Sequence, residues 1–223
     1  MQVSTIIDYA AKGDLKQISL SNIGTKESRT NDQQENLDTL VGFVNQGILE
    51  LYKRFPIKIN VDDNTVFAPS TVEDSIQLPD TALELMKVTK TDGTEVPVDN
   101  YDVENLFKLN LYKDVYVKSL SVNNFLILGE MSSTGTTVQF HYKSAPEQVR
   151  YNSMLPLPVM YQEALMNYVA YRGYSTVKSV TPVGDEGFNY KKRFEDSCLR
   201  IEQNTDTLYE WANPKRLYER GFI

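Results

Sequence analysis

Apolar residues recur at three- and four-residue steps toward both ends of the chain and at two-residue steps through its middle, which predicts helices flanking a β region. Ile6, Ile7, Ala10, Ala11 and Leu15 give a first helix over Val3 to Lys16, with Ser4 placed to cap it. The polar stretch from Ser21 to Asn36, with Gly24 inside it, reads as a loop. A second helix starts at Asp32 or Glu35 and keeps its period through Leu37, Leu40, Val44, Ile48, Leu51 and Phe55, until Pro56 stops it.

From Ile57 to Tyr142 the period is two. Ile57, Ile59 and Val61 alternate up to an expected turn at Asp62-Asp63-Asn64, with Val66 to Ala68 returning as a strand. Met86 and Val88 face Val96 and Val98 across Asp92-Gly93, the composition of a type I′ hairpin. Tyr116 to Leu120, Asn124 to Leu128 and Thr137 to Tyr142 read as a meander joined at Asn123-Asn124 and Thr134-Gly135. Pro156 and Pro158 then exclude helix interior, so a third helix begins near Pro158, with Tyr161, Ala164, Leu165 and Tyr168 on one face. A fourth runs from about Glu186 to Gln203, with Phe194, Cys198 and Ile201 opposite Lys191, Lys192 and Arg193. The expected class is α+β: an antiparallel helical bundle from 1–56 and 143–204, an inserted antiparallel β-sheet region at 57–142, and an extended C-terminal arm at 205–223.

Composition narrows the function more than the fold. With 223 residues, 41% of them hydrophobic, the chain can bury its own core. A formal charge of −7 argues against a protein that grips nucleic-acid phosphates, since that affinity comes from Lys and Arg displacing counterions. The single Cys198 rules out an intramolecular disulfide, and no apolar run approaches the roughly 20 residues of a membrane helix. Folding and action in the cytoplasm of the producing cell, with no membrane partner, are expected.

Catalytic chemistry finds no footing in motif spacing. His141 sits in the alternating run Val138 to Tyr142 and reads as a strand residue in preference to a general base. Cys198 reads as core, and one His with one Cys cannot build a zinc site. Gly129 to Gly135 lacks the Gly-Lys-Ser/Thr ending of a phosphate loop, and Gly184-Asp185-Glu186-Gly187 puts acids where an anion would bind, so both read as turns. Asp62-Asp63 and Asp185-Glu186 lack the alternating oxygen ligands of a calcium loop. No catalytic residue, metal or cofactor is assigned.

Aromatic residues carry more. Of fourteen tyrosines, Tyr161, Tyr168, Tyr171 and Tyr174 lie on the third helix, where they either pack within the monomer or meet a neighbouring subunit. The tail combines Tyr209, Trp211, Tyr218 and Phe222 with Lys215, Arg216 and Arg220, residue types that dominate interfaces, and Pro214 interrupts any helix there. A fold back onto the chain's own bundle is the other reading of this tail.

The order of these features resembles the head-to-tail adaptor (connector) proteins of tailed, especially short-tailed, bacteriophages. The resemblance rests on a short N-terminal helix, then Leu40-Val41-x-Phe43-Val44-Asn45-Gln46-Gly47 ending in Arg54-Phe55-Pro56, a central β region, and Leu155-Pro156 followed by Glu163-Ala164-Leu165 and Tyr168-Val169-x-Tyr171-Arg172. It spans about Ser4 to Ile201, with Gly173 departing from an expected Ala. It implies a virion protein of the neck or tail, assembled in the host cytoplasm as a twelve-membered ring under the portal. Its partners would be the portal protein and tail or nozzle proteins, with DNA passing through the channel without sequence-specific binding. On that basis Tyr209, Trp211, Lys215, Arg216, Tyr218, Arg220 and Phe222 would bind the portal, and Tyr161, Tyr168, Tyr171 and Tyr174 the adjacent subunit. Two other readings are a phage enzyme or accessory protein using carboxylates of the β region, and a regulatory module whose aromatic tail folds on a host protein.

Overall fold

A computed structural model describes residues 1–25, 28–70, 74–99, 115–129, 135–176 and 184–212, with the side chains of 99, 184, 185 and 205–212 left out of the description. The chain forms two compact units, one from Met1–Leu51 together with the chain from Glu147 onward, the other from Tyr52–Pro146.

The helical unit contains α1 (Val3–Lys12), α2 (Asn31–Arg54, whose last turn belongs to the other unit), α3 (Gln162–Thr176) and α4 (Gly184–Ala212). All five expected apolar positions are buried, four of them in α1, but the helix ends earlier, where Gly13 N–H donates to Tyr9 O at 2.8 Å. Leu15 stays in the core because its N–H turns back to Ala10 O. Ser4 lies inside α1 and does not cap it: Gln2 is the capping residue, and Val3 N–H is satisfied by Ser153 O at 2.9 Å.

Helix α2 opens with a reciprocal capping box. Thr30 N–H donates to Gln33 Oε1 (3.0 Å) while Gln33 N–H donates to Thr30 Oγ1 (3.3 Å). The polar segment before it is tethered, since Asn36 Nδ2 donates to the carbonyls of Ser19 and Asn22 and Arg29 Nε to that of Ile23. Further along, Asn45 acts as a surrogate peptide group. Its Nδ2 donates to Val149 O (3.0 Å) and its Oδ1 accepts from Val149 N–H (2.7 Å), which pins the chain returning toward α3.

Two glycines permit close helix contact. A Cβ on Gly47 would stand 2.7 Å from Leu165 Cδ1, and one on Gly173 would stand 2.6 Å from Leu15 Cδ2. The departure at Gly173 therefore fits the close packing of Leu15, in the turn after α1, against α3. Helix α4 differs from expectation at both ends. Gly184 to Gly187 open the helix instead of forming a turn, and the helix continues past Asn204 to Ala212. The arm expected from 205 thus begins as helix, and 213–223 lie outside the described residues.

The β unit holds two four-stranded sheets. One has the order β1-β8-β3-β4, with β1 Ile59–Val66, β3 Ala82–Lys90, β4 Glu95–Val96 and β8 Thr136–Ser144. The other runs β2-β7-β6-β5, with β2 Ile76–Gln77, β5 Val98–Asp99, β6 Tyr116–Ser121 and β7 Asn124–Leu128. All pairings are antiparallel except β5 with β6.

Residues expected as a turn, Asp62-Asp63-Asn64, are strand. Strand β1 pairs with β8 without a break from Ile59↔Lys143 to Val66↔Thr136, and the carboxylates are absorbed by hydrogen bonds from Tyr142 Oη to Asp62 and Gln139 Nε2 to Asp63. The meander is also corrected. Strands β6 and β7 form the expected hairpin, but β8 crosses to the other sheet and lies between β1 and β3. The β3–β4 hairpin has a three-residue loop instead of a type I′ turn: Gly93 N–H donates to Lys90 O and Lys90 N–H to Thr94 O, with Gly93 at φ +85°. Val138, Phe140 and Tyr142 of β8 meet Val117, Phe125 and Ile127 from the second sheet, and the Phe125 and Phe140 rings lie 5.6 Å apart.

Candidate functional site

Three of the four α3 tyrosines are interior. Tyr161, Tyr168 and Tyr174 are 7%, 7% and 5% exposed, and Tyr171 is half-buried. Tyr168 makes edge contacts with Phe194 (5.3 Å) and Tyr171 (5.9 Å), while Tyr174 stacks on Tyr190 of α4 at 5.6 Å with an interplanar angle of 8°. Helical spacing put Tyr161 and Tyr168 on one face with Ala164 and Leu165 but did not place Tyr174 there, and it could not say whether helices of the same chain or of another would cover that face.

Both phenols of the stack converge on Asp14. Tyr174 Oη donates to its carbonyl at 2.6 Å and Tyr190 Oη to its carboxylate at 2.9 Å. Burial, followed by hydrogen bonding to Glu186, raises the Tyr174 pKa. Tyr190 is pushed up to about 12 by burial and then by its bond to Asp14, against the opposing charge of Arg193. The two groups are neutral donors across ordinary pH, suited to fixing the end of α3 and not to proton transfer. They border a polar cleft of about 340 Å³, which Lys16, Glu186 and Arg193 also line.

In the β unit His141 occupies the outer face of β8, its Nε2 3.0 Å from Thr89 Oγ1. Partial burial and then the Lys87 charge lower its pKa, with Asp63 opposing. Glu84 is paired with Lys143 at 2.6 Å, and the same ammonium donates to Lys53 O at the end of α2. Cys198 is fully buried on α4, as its apolar neighbours predicted. Among the described residues no group of three or more His, Cys, Asp or Glu side chains is placed to hold a metal ion, and no helix is long and apolar enough to cross a membrane.

Of the residues assigned to portal binding, Tyr209 and Trp211 fall within α4. Lys215, Arg216, Tyr218, Arg220 and Phe222 lie outside the described residues.

A surface that sequence reasoning passed over lies before α3. Met154, Pro156, Pro158, Val159 and Met160 are exposed, Met154 by 64% and Val159 by 78%, while the intervening Leu155 and Leu157 are buried. No Asp, Glu, Lys, Arg or His occurs between Arg150 and Glu163, and that gap in a chain with 24% charged residues was the readable signal. Tyr9 and Phe188 are further large exposed side chains of the helical unit, at 60% and 69%. The arrangement as a whole offers packed helices and apolar contact surface.

Compared with known proteins, the chain is matched over residues 1–217 by the family model described as SU10 adaptor protein. No curated protein matches it.

Proposed function

The chain belongs to the SU10 adaptor protein family of bacteriophage head-to-tail adaptors, and from that premise we propose that twelve copies form a ring matched to the portal. The family role is structural and non-enzymatic, within the virion; its members oligomerise and interact with portal and tail components. In the proposed arrangement the ring extends the DNA channel without reading sequence, offers its far side to tail or nozzle proteins, and assembles in the host cytoplasm. The family match over residues 1–217 carries this reading.

The portal-docking element in this reading is the aromatic and basic segment from Tyr209 to Phe222. Trp211, Tyr218 and Phe222 supply anchors, and Lys215, Arg216 and Arg220 supply charge-assisted contacts to acidic neighbours. In this reading Tyr171, half-buried, is the α3 tyrosine that meets an adjacent subunit. Because α4 runs to Ala212, the informative truncation is made there and not at Asn204. Removal of 213–223 should leave the thermal midpoint unchanged and abolish co-sedimentation with the portal. Retained binding would overturn the docking assignment, and a large fall in the midpoint would instead show a tail folded back on its own bundle.

A further inference from the structure

We propose that the outer edge of β1 receives an extended, basic segment of a different virion protein, which joins the β1-β8-β3-β4 sheet as a fifth strand. The inference goes beyond the reading above and needs neither twelve copies nor the C-terminal docking.

Strand β1 is unlike the other sheet edges. The strands β4, β2 and β5 at the remaining edges are two residues long each, and such short edges leave little for another chain to pair with. β1 runs for eight residues and pairs with β8 without a break in register. Its hydrogen-bond parity is fixed by Ser144 N–H, which donates to Lys58 O at 3.2 Å and makes those two a bonded pair of the antiparallel ladder. Bonded and non-bonded pairs alternate along such a ladder. Asn60, Asp62, Asn64 and Val66 therefore bond β8, while Ile59, Val61, Asp63 and Thr65 turn their N–H and C=O groups away from it. Among the described residues, no group pairs with these outward-facing donors and acceptors. They recur roughly 6.8 Å apart, at two residues of about 3.4 Å each, and an extended strand presents donors and acceptors at the same repeat.

Side chains along this row select the strand that fits. Ile59 and Val61 are each 47% exposed, and Phe67, in step with them just past the strand, is 73% exposed. Apolar side chains of an added strand belong opposite Ile59 and Val61. Asp63 follows on the same face, its carboxylate held by Gln139 Nε2 at 3.0 Å, and is complemented by Lys or Arg opposite it. The acids also act against two other occupants. Antiparallel pairing with a second β1 over the whole row, Ile59 against Thr65, sets the Asp62 side chains of the two copies directly opposite each other, where like charges destabilise. Nucleic-acid phosphates would meet the Asp62 and Asp63 carboxylates with no cation in the strand to neutralise them.

Hydrogen exchange tests the edge directly, with the full-length chain compared free and in necks isolated from virions. In the free protein the amides of Ile59, Val61, Asp63 and Thr65 should exchange fast and those of Asn60, Asp62 and Asn64 slowly. In necks the outward set should slow on the order of a hundredfold. Equal exchange of the outward amides in both samples would overturn the proposal. The occupant is identified by irradiating necks that carry Phe67→benzoylphenylalanine and sequencing the adduct by mass spectrometry. A different virion protein, captured through a segment with Lys or Arg and alternating apolar residues, is expected; capture of a second copy of this chain, or of nothing, would overturn it. Val61→Pro removes one outward N–H and no bond to β8, and Asp63→Lys reverses the charge while keeping the backbone row. Each should lower the yield of intact necks on the order of tenfold with an unchanged thermal midpoint of the free protein. An undiminished yield from either folded variant would overturn the proposal.

Discussion

Replacing Asn45 by Leu, which has nearly the same shape, removes the amide that pairs with both backbone groups of Val149. Val149 is 8% exposed, so water cannot readily replace the lost partner. Leaving a buried N–H and a buried C=O unsatisfied costs about 1 to 3 kcal/mol each. Burying the added apolar surface returns about 1 kcal/mol. The net loss should be about 2 to 4 kcal/mol, a large share of the stability of a domain held by about 5 to 15 kcal/mol. Asn45→Asp keeps the acceptor for Val149 N–H but turns the donor into an oxygen facing Val149 O, so it should be destabilising as well. Urea unfolding followed by far-UV circular dichroism measures both, with an unchanged slope required for the comparison. A midpoint for Asn45→Leu within about 0.5 kcal/mol of the wild type would refute the surrogate-peptide role and the pinning of the return segment.

Gly173→Ala should destabilise by about 1 to 3 kcal/mol through overpacking, reduced by up to about 1 kcal/mol of helix propensity; Leu15→Ala in the same chain should relieve part of the clash, and simple additivity in that double-mutant cycle would contradict the contact. His141 has a lowered pKa in the folded state, so the unfolded chain binds more protons below its ordinary value of 6.5. Its contribution is therefore present above pH 6.5 and lost as pH falls through the folded-state value, and His141→Gln should flatten that part of the stability profile; an unchanged slope would show that other groups set it. The channel wall is expected to be acidic, in keeping with the net charge of −7, because a neutralising wall would hold DNA phosphates in place. A lumen on which Lys and Arg outnumber Asp and Glu would contradict that expectation.

The helices were legible because each buries one face, so that Leu37 to Leu51 and Phe194 to Ile201 announce their period locally. Their ends were less so. Ser4 has the composition of a cap but lies inside α1, whereas Thr30-x-x-Gln33 is a readable capping signal that a long polar stretch concealed. Strand β1 was misread because Asp62-Asp63-Asn64 has turn composition, and what makes it strand is pairing with residues 74 to 78 positions later. No local pattern contains that information, nor the crossing of β8 between sheets. The same limit applies to the surfaces. The period placed Tyr161 and Tyr168 on one face with Ala164 and Leu165, while the burial of Tyr174 and the identity of the covering partners, Phe194, Tyr190 and Asp14, are properties of the assembled bundle. The exposed ridge was hidden by its prolines, which read as a helix start and not as a platform.

The central claim is a ring seated on the portal and held by the C-terminal segment. Cryo-electron microscopy of the full-length chain mixed with its portal tests it most directly. The expected image is a second, coaxial ring of twelve copies beneath the portal, with density for the segment from Tyr209 onward lying against portal subunits. A portal without a second ring, or a ring whose C-terminal segments point away from the portal, would contradict the account.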